Sequence, residues 1–253
     1  MFRIDIRVLG ALKGDPMTKT GYNPRYRTPT IIIRCAVLLH MFLPSRNAKI
    51  LLFFLFGAKV SHKTICEWTN KFYHQVEPPL CEYSPTEILI CHVDEKYVKI
   101  QGEWHYWWSL KDCYGNIIHN IITEFRDFAS AKNLLIESRK RIGRNVDILI
   151  RDGLFAYEKA TKYLGRKCKS IISGINGKLI FFKKKVYWLT NNTSESLNSE
   201  IDFYMRRFQN NFANLQSANK FANIFMLQKY FKKCFNEKKF SEASSLLIQA
   251  ITI

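Results

Sequence analysis

Residues 87–108, EILICHVDEKYVKIQGEWHYWW, constrain the fold more than any other stretch of this chain. The apolar run 88–93 reads as a buried strand, yet it ends in two acids, Asp94 and Glu95, ahead of an aromatic-rich second run. A carboxylate at the buried end of a core strand costs several kcal/mol to desolvate unless a cation meets it. Asp94 therefore either pairs with a nearby Lys or Arg or holds a metal ion.

The surrounding pattern places that strand in a layered α/β domain. Residues 88–99 and 104–112 read as strands, and 115–125 as a third, turned at Tyr114-Gly115. Beyond them helix and strand alternate: ASAKNLLIESRKRI is helical, NVDILIRDG is a short buried strand ending in Asp152, AYEKATKYL is helical and CKSIIS is a strand. TNNTSESLNSEIDFYMRRF opens with good cap residues and continues as a helix. A last long helix, LQSANKFANIFMLQKYFKKCF, turns Leu215, Ala218, Ala222 and Phe225 inward. Three antiparallel strands followed by alternating helices and strands predict helices layered on one sheet.

Upstream the texture is helical. TPTIIIRCAVLLHMF is closed by Pro44, RNAKILLFFLF is stopped at Gly57, and SHKTICEWTNKFY starts at Ser61 as N-cap with Ile65, Trp68 and Phe72 on one face. The apolar run 50–58 is too short for a bilayer, which needs about 20 residues, and predicts a buried helix. Two helices joined by a short Gly-containing turn have the pattern of a helix-turn-helix. On that reading His62, Lys63, Glu67, Asn70 and Lys71 point outward as candidate DNA contacts; in any other small bundle they form a solvated face. Residues 1–27 read as a loose arm, broken by Gly10, Gly14, Pro16, Gly21 and Pro24, and the prolines of EPPLCEYSP mark a linker over 77–86. The division expected is then a helix-turn-helix domain over 28–76, a catalytic domain over 87–235 and a tail over 236–253.

The charge balance points to the partner. A formal net charge of +18 is spread through the chain rather than confined to a tail, which favours a polyanion, nucleic acid ahead of a membrane surface. Seven irregularly spaced cysteines without a CxxC pair fit neither a disulfide framework nor a zinc knuckle. The start, MFRIDIRVLGALKGD, has no apolar segment of signal-peptide length, and a cytoplasmic protein is expected. No Ser/His/Asp set, P-loop or GxGxxG occurs, and the histidines show no HxxxH spacing.

Asp94 and Asp152 lie at or near the C-terminal ends of two of the strands, where open α/β sheets usually place their chemistry. A third acid from a helix crossing that edge would complete a set, and Glu195 is placed to supply it. Glu95 and Asp112 compete with Asp94, and Glu200 competes with Glu195. Strand alternation puts Glu95 on the face opposite Asp94. Three converging carboxylates repel unless cations lie between them. A pair of Mg²⁺ ions, held by carboxylates and substrate phosphates, suits in-line phosphoryl displacement.

The stretch HVDEKYVKIQGEWHYWWSLKD resembles the first motif of DDE transposases, the retroviral-integrase-like superfamily with a ribonuclease-H-type fold. The insertion-sequence transposases of the group numbered six are the most similar. FRDFASAKNLL is similar to that group's helix entry through Arg126 and Ala131, and RDGLFAY resembles the second motif through Asp152, Gly153 and Tyr157. NNTSESLNSEIDFYMRRF resembles the third, in which two asparagines precede the catalytic glutamate, here Glu195.

The resemblance implies a ribonuclease-H-like mixed sheet with flanking helices, preceded by a small all-α helix-turn-helix domain. It implies that Asp94, Asp152 and Glu195 bind two Mg²⁺ or Mn²⁺ ions. Water then cuts a phosphodiester at a transposon end, and the freed 3′-hydroxyl attacks target DNA. The helix-turn-helix would recognise terminal inverted repeats, with a homodimer or larger synaptic complex holding paired ends, and neither a membrane nor a small-molecule substrate is involved. One position departs: two helical turns after the glutamate the family carries a base, and this chain carries Asp202. Arg206, Arg207 or Lys183, Lys184 and Lys185 are candidates to restore that charge. The alternatives are a catalytically inactive DNA-binding relic or a nuclease of the same fold.

Overall fold

The computed structural model describes residues 28–73, 83, 87–172, 178–182, 185–189, 192–207, 212–239 and 241–242, and within these the side chains at 73, 178–182, 185–189, 192–195 and 207 are not described. The expected arm, most of the linker and tail, and Lys183 and Lys184 therefore lie outside the described residues, as do the side chains of Lys185, Glu195 and Arg207. The chain divides into two compact units, Met1–Pro78 with Leu227–Ile253, and Pro79–Met226. No described helix is long and apolar enough to cross a membrane.

The first unit carries three N-terminal helices: α1 (Thr30–Phe42), α2 (Ser45–Phe56) and α3 (His62–Tyr73). Gly57 ends α2 at φ 64°, in the left-handed conformation that glycine adopts without a Cβ penalty. Ser61 caps α3 as expected, its Oγ accepting from the Thr64 amide at 3.0 Å. Ile65, Trp68 and Phe72 are buried, while His62, Lys63, Glu67 and Lys71 are exposed and Asn70 is half-buried. The expectation of a buried helix for the run 50–58 fails. Helix α2 buries Ala48 and Leu52 and leaves Ile50, Phe53, Phe54 and Leu55 exposed. An uninterrupted apolar run lacks the polar face that normally turns outward, so one buried stripe leaves the rest of its circumference uncovered.

The second unit is built on one five-stranded sheet: β1 (Ile90–Ile100), β2 (Glu103–Asp112), β3 (Ile117–Thr123), β4 (Ile148–Arg151) and β5 (Lys169–Ile172), in the order β3-β2-β1-β4-β5. Strands β1, β2 and β3 are antiparallel neighbours, while β4 runs parallel to β1 and β5 parallel to β4. This is a mixed sheet, as the resemblance implied. Helices α4 (Phe128–Ile142), α5 (Phe155–Ala160), α6 (Asn192–Arg207) and α7 (Leu215–Asn236) accompany it. A short helical turn, Thr161–Tyr163, follows α5. A two-stranded ribbon, β6 (Lys178–Phe182) with β7 (Lys185–Leu189), has no counterpart in the sequence-based expectations. The lysine run in the sequence between the two strands interrupts the alternation.

Period-two alternation sorts the core into two layers. Cys91, Val93, Trp108 and Leu110 pack with Ala131, Leu134, Leu135, Ala156 and Tyr157 on one face. Val98, Ile100, Trp107 and Ile122 pack on the other with Leu197, Ile201 and Tyr204 of α6 and Ala218, Ala222 and Phe225 of α7. The consecutive tryptophans of WHYWW thus serve opposite layers: Trp107 meets Phe225 and Trp108 meets Tyr157, both edge to face. Asn219 of α7 pairs with the edge strand β3 as another strand would, accepting from the Ile122 amide at 2.8 Å and donating to its carbonyl at 2.9 Å.

Candidate active site

The parallel pairing of β1 with β4 runs through Ile90 with Ile148, Cys91 with Leu149 and His92 with Ile150. Two residues further, where β4 has ended, the same register sets Asp94 beside Asp152. The order of the strands reverses across β1 and β4, the place where open α/β sheets usually put a site. Carboxylate oxygens of Asp94, Glu95 and Asp152 all lie within 4.8 Å of one another, a spacing one metal ion could span. The loop after β4 is held in place by its own polar groups. The Leu154 amide donates to Asp152 Oδ1 at 2.9 Å, and buried Arg151 donates to the Asp152 carbonyl at 2.9 Å.

The two adjacent acids of β1 have different surroundings. Glu95, only 2% exposed in its side chain, faces α5 and the entry to α4. It accepts from Arg126 Nε at 2.7 Å and from Nη2, and from the Tyr157 hydroxyl at 2.5 Å. Burial, and then the Glu95 charge, push the Tyr157 hydroxyl well above its ordinary range, so it remains a donor. Arg126 also approaches Asp152 Oδ2 at 3.6 Å, and Asp127 behind it caps α4 through the Ser130 amide at 2.8 Å. The Arg126 and Tyr157 positions, known from the sequence only as motif letters, thus neutralise the acid that is paired. No pattern in the sequence identified this pairing.

Asp94 is on the other face. The Glu95 amide donates to its Oδ1 and Asn198 Nδ2 of α6 to its Oδ2, both at 3.0 Å. Burial, followed by repulsion from Glu95, raises its carboxyl to about 6 despite these bonds, and Asp152 adds to the rise. Donors stabilise the charge but do not cancel it, which is the environment a hard cation relieves. His92, its neighbour on the same face, is held neutral: burial and then Lys111 lower it to about 4.

The competing acids separate on geometry. Asp112 is fully buried and organises the β2–β3 turn, accepting from the Tyr114 and Asn116 amides at 2.9 and 2.8 Å and from the Tyr83 hydroxyl at 3.0 Å. Its carboxylate is committed to the fold. On α6, position 195 precedes Asn198 by three residues and Asp202 by seven, so the three share one helical face. Position 200 is on nearly the opposite side from Asn198. Asn198 meets Asp94, and Asp202 accepts from Lys96 Nζ at 2.9 Å. Neither Asn198 nor Lys96 was singled out in the sequence; only the helix spacing from Glu195 could have indicated Asn198.

Comparison with known proteins bears on the whole second unit. Among solved structures the chain is similar to a chain of the simian T-cell lymphotropic virus intasome in complex with the PP2A regulatory subunit B56 gamma. That alignment has a TM-score of 0.40 at 11% identity and covers 75% of this chain and 66% of that one. No curated protein matches the chain. Residues 89–234 match the DDE domain family of IS240-type transposases. That span is more than half of the 253 residues and contains Asp94, Asp152 and α6, and by it the chain belongs to the DDE transposase family.

Proposed function

We propose that this protein acts in the cytoplasm as a transposase, cutting DNA at transposon ends and joining the freed 3′-hydroxyl to target DNA. The observation that carries the reading is the approach of Asp94 and Asp152 where β1 passes the end of β4, with α6 meeting Asp94 through Asn198. In this reading Asp94, Asp152 and Glu195 are the catalytic ligands of divalent metal, two Mg²⁺ or Mn²⁺ ions per site. Asp94 and Asp152 fit a hard cation: both offer oxygens, these lie within 4.8 Å of one another, and the Asp94 carboxyl is raised to about 6 by burial and like charge. Bound there, the ions would activate the attacking oxygen and stabilise the leaving one.

The chain's own groups prepare that site. Asn198 and the Glu95 amide orient the Asp94 carboxylate, and the Leu154 amide orients Asp152. Arg126 and Tyr157 hold Glu95 as a structural counter-charge, leaving it out of the ligand set. The exposed His62, Lys63, Glu67 and Lys71, with Asn70, would read the terminal inverted repeat from α3, and two or more protomers would hold the paired ends. Arg206 and the Lys185 and Arg207 positions add basic residues to the same chain, with Lys183 and Lys184.

The test is strand transfer on a labelled duplex carrying the element's end, in Mg²⁺ or Mn²⁺, with Asp152→Asn alongside. Joined product from the wild type alone supports the reading. Cutting without joining would make the protein a nuclease. Binding without either would make it a DNA-binding relic.

A further inference from the structure

An acid stands where the family's third motif carries a base, and the structure shows what that acid does. Asp202 Oδ2 accepts from Lys96 Nζ at 2.9 Å. Lys96 follows Asp94 by two residues on β1, which puts it on the same face, roughly 6.7 Å further along the strand. Its side chain is 18% exposed and that of Asp202 is 45% exposed. The stem is therefore packed against the sheet and the ammonium emerges beside α6. An ammonium has three N–H donors, and Asp202 takes one.

Exposed ion pairs contribute about 0–1 kcal/mol to stability, too little to explain a lysine two residues from Asp94 on the same strand face. Arg206 is exposed, but it lies two turns beyond Asn198, roughly 12 Å along the helix axis from the level of Asp94. Lys96 is nearer, two residues from Asp94 on the same strand face.

We propose that Lys96 binds a DNA phosphate beside the catalytic acids, the basic group having moved from α6 to β1, and that Asp202 is its positioning residue. This rests on the transposase reading above. It converts an apparent defect of the third motif into a relocated contact: the acid on α6 aims the lysine.

The experiment is binding of a short duplex by the full chain, with Ca²⁺ present to fill the acidic site without turnover, over a range of NaCl concentrations. Each phosphate neutralised contributes about 0.9 to the slope of log affinity against log salt. Lys96→Gln should lower the slope by about that amount. Lys96→Arg and Asp202→Asn should retain it, since both keep a cation on β1, and the exchange Lys96→Asp with Asp202→Lys should restore it. Equal melting-temperature losses in Lys96→Gln and Asp202→Asn with an unchanged slope would overturn the proposal and leave a structural ion pair. So would wild-type joining by Lys96→Gln at limiting DNA. Because the slope needs no chemistry, failure of the wild type to join DNA would refute the transposase reading without touching this measurement.

Discussion

Asp94 and Glu95 are adjacent in the chain and opposite in role: the pleat of β1 turns Glu95 toward Arg126 and Tyr157 and Asp94 toward Asn198 of α6. One acid is neutralised by the fold, while the other keeps a charge that burial disfavours. Their substitutions should therefore move stability in different directions. Glu95→Ala leaves the buried Tyr157 hydroxyl without its acceptor and the partly exposed Arg126 without its partner, and should cost about 1–3 kcal/mol in urea unfolding. Asp94→Asn removes like-charge repulsion and should be neutral or stabilising in metal-free protein at pH 7. A destabilised Asp94→Asn with an unaffected Glu95→Ala would reverse the assignment.

Divalent metal should raise the melting temperature of the wild type. A ligand that binds only the folded state at 100 times its dissociation constant stabilises by about 2.7 kcal/mol. For a chain of this size that corresponds to a shift of roughly 5–10 °C. Asp94→Asn and Asp152→Asn should lose most of that shift, which scanning calorimetry with and without Mn²⁺ would register. An equal shift in all three proteins would place the ions elsewhere.

His40 makes the first unit sensitive to acid. Its Nδ1 is 2.9 Å from Thr69 Oγ1, and that hydroxyl already donates to the Ile65 carbonyl, so the ring nitrogen is the donor. Burial lowers His40 from 6.5 to about 4. A depressed folded value means that the unfolded chain binds more protons between those limits. The contribution is thus fully present above about pH 6.5 and is lost as the pH falls toward 4, up to about 3 kcal/mol. His40→Gln should flatten the loss over that window, measured on the transition that reports the N-terminal helices.

The outward face of α3 should behave as a DNA contact. Lys63→Gln with Lys71→Gln should lower the salt slope of duplex binding by about 1.8, at about 0.9 per phosphate. Melting should be unaffected, because both side chains are exposed. An unchanged slope would make this helix a solvated face.

A smaller effect tests how Arg126 is held. Asp127→Ala removes the side-chain cap of α4 and should cost about 1 kcal/mol in urea unfolding. Asp127→Asn should recover most of it. Equal losses in both variants would assign the effect to charge instead of capping.

Much of this molecule was legible from its sequence because the signals were local. Strand alternation around Asp94, the caps at Ser61 and Gly57, and the helical spacing of Leu215, Ala218, Ala222 and Phe225 each depend on residues within a turn or two. The pleat alone predicted that Glu95 would oppose Asp94. The same local reasoning failed at α2, where an apolar run was expected to be buried, since periodicity cannot say how much of a helix has a neighbour. It also missed β6 and β7, where lysines interrupt the pattern.

Sequence by itself determined every element but β6 and β7, the basic character of the chain and the acids that could form a site, since these follow from backbone geometry and side-chain chemistry. Only the tertiary structure decided which acids meet. Asp94, in the interior of β1, comes beside Asp152 through the parallel register of β1 and β4, while Asp112, equally acidic and at the end of β2, is consumed by the β2–β3 turn. Lys96 finds Asp202 across 106 positions because α6 packs along β1. Contacts of that range are set by how layers stack, and no stretch of residues encodes them alone.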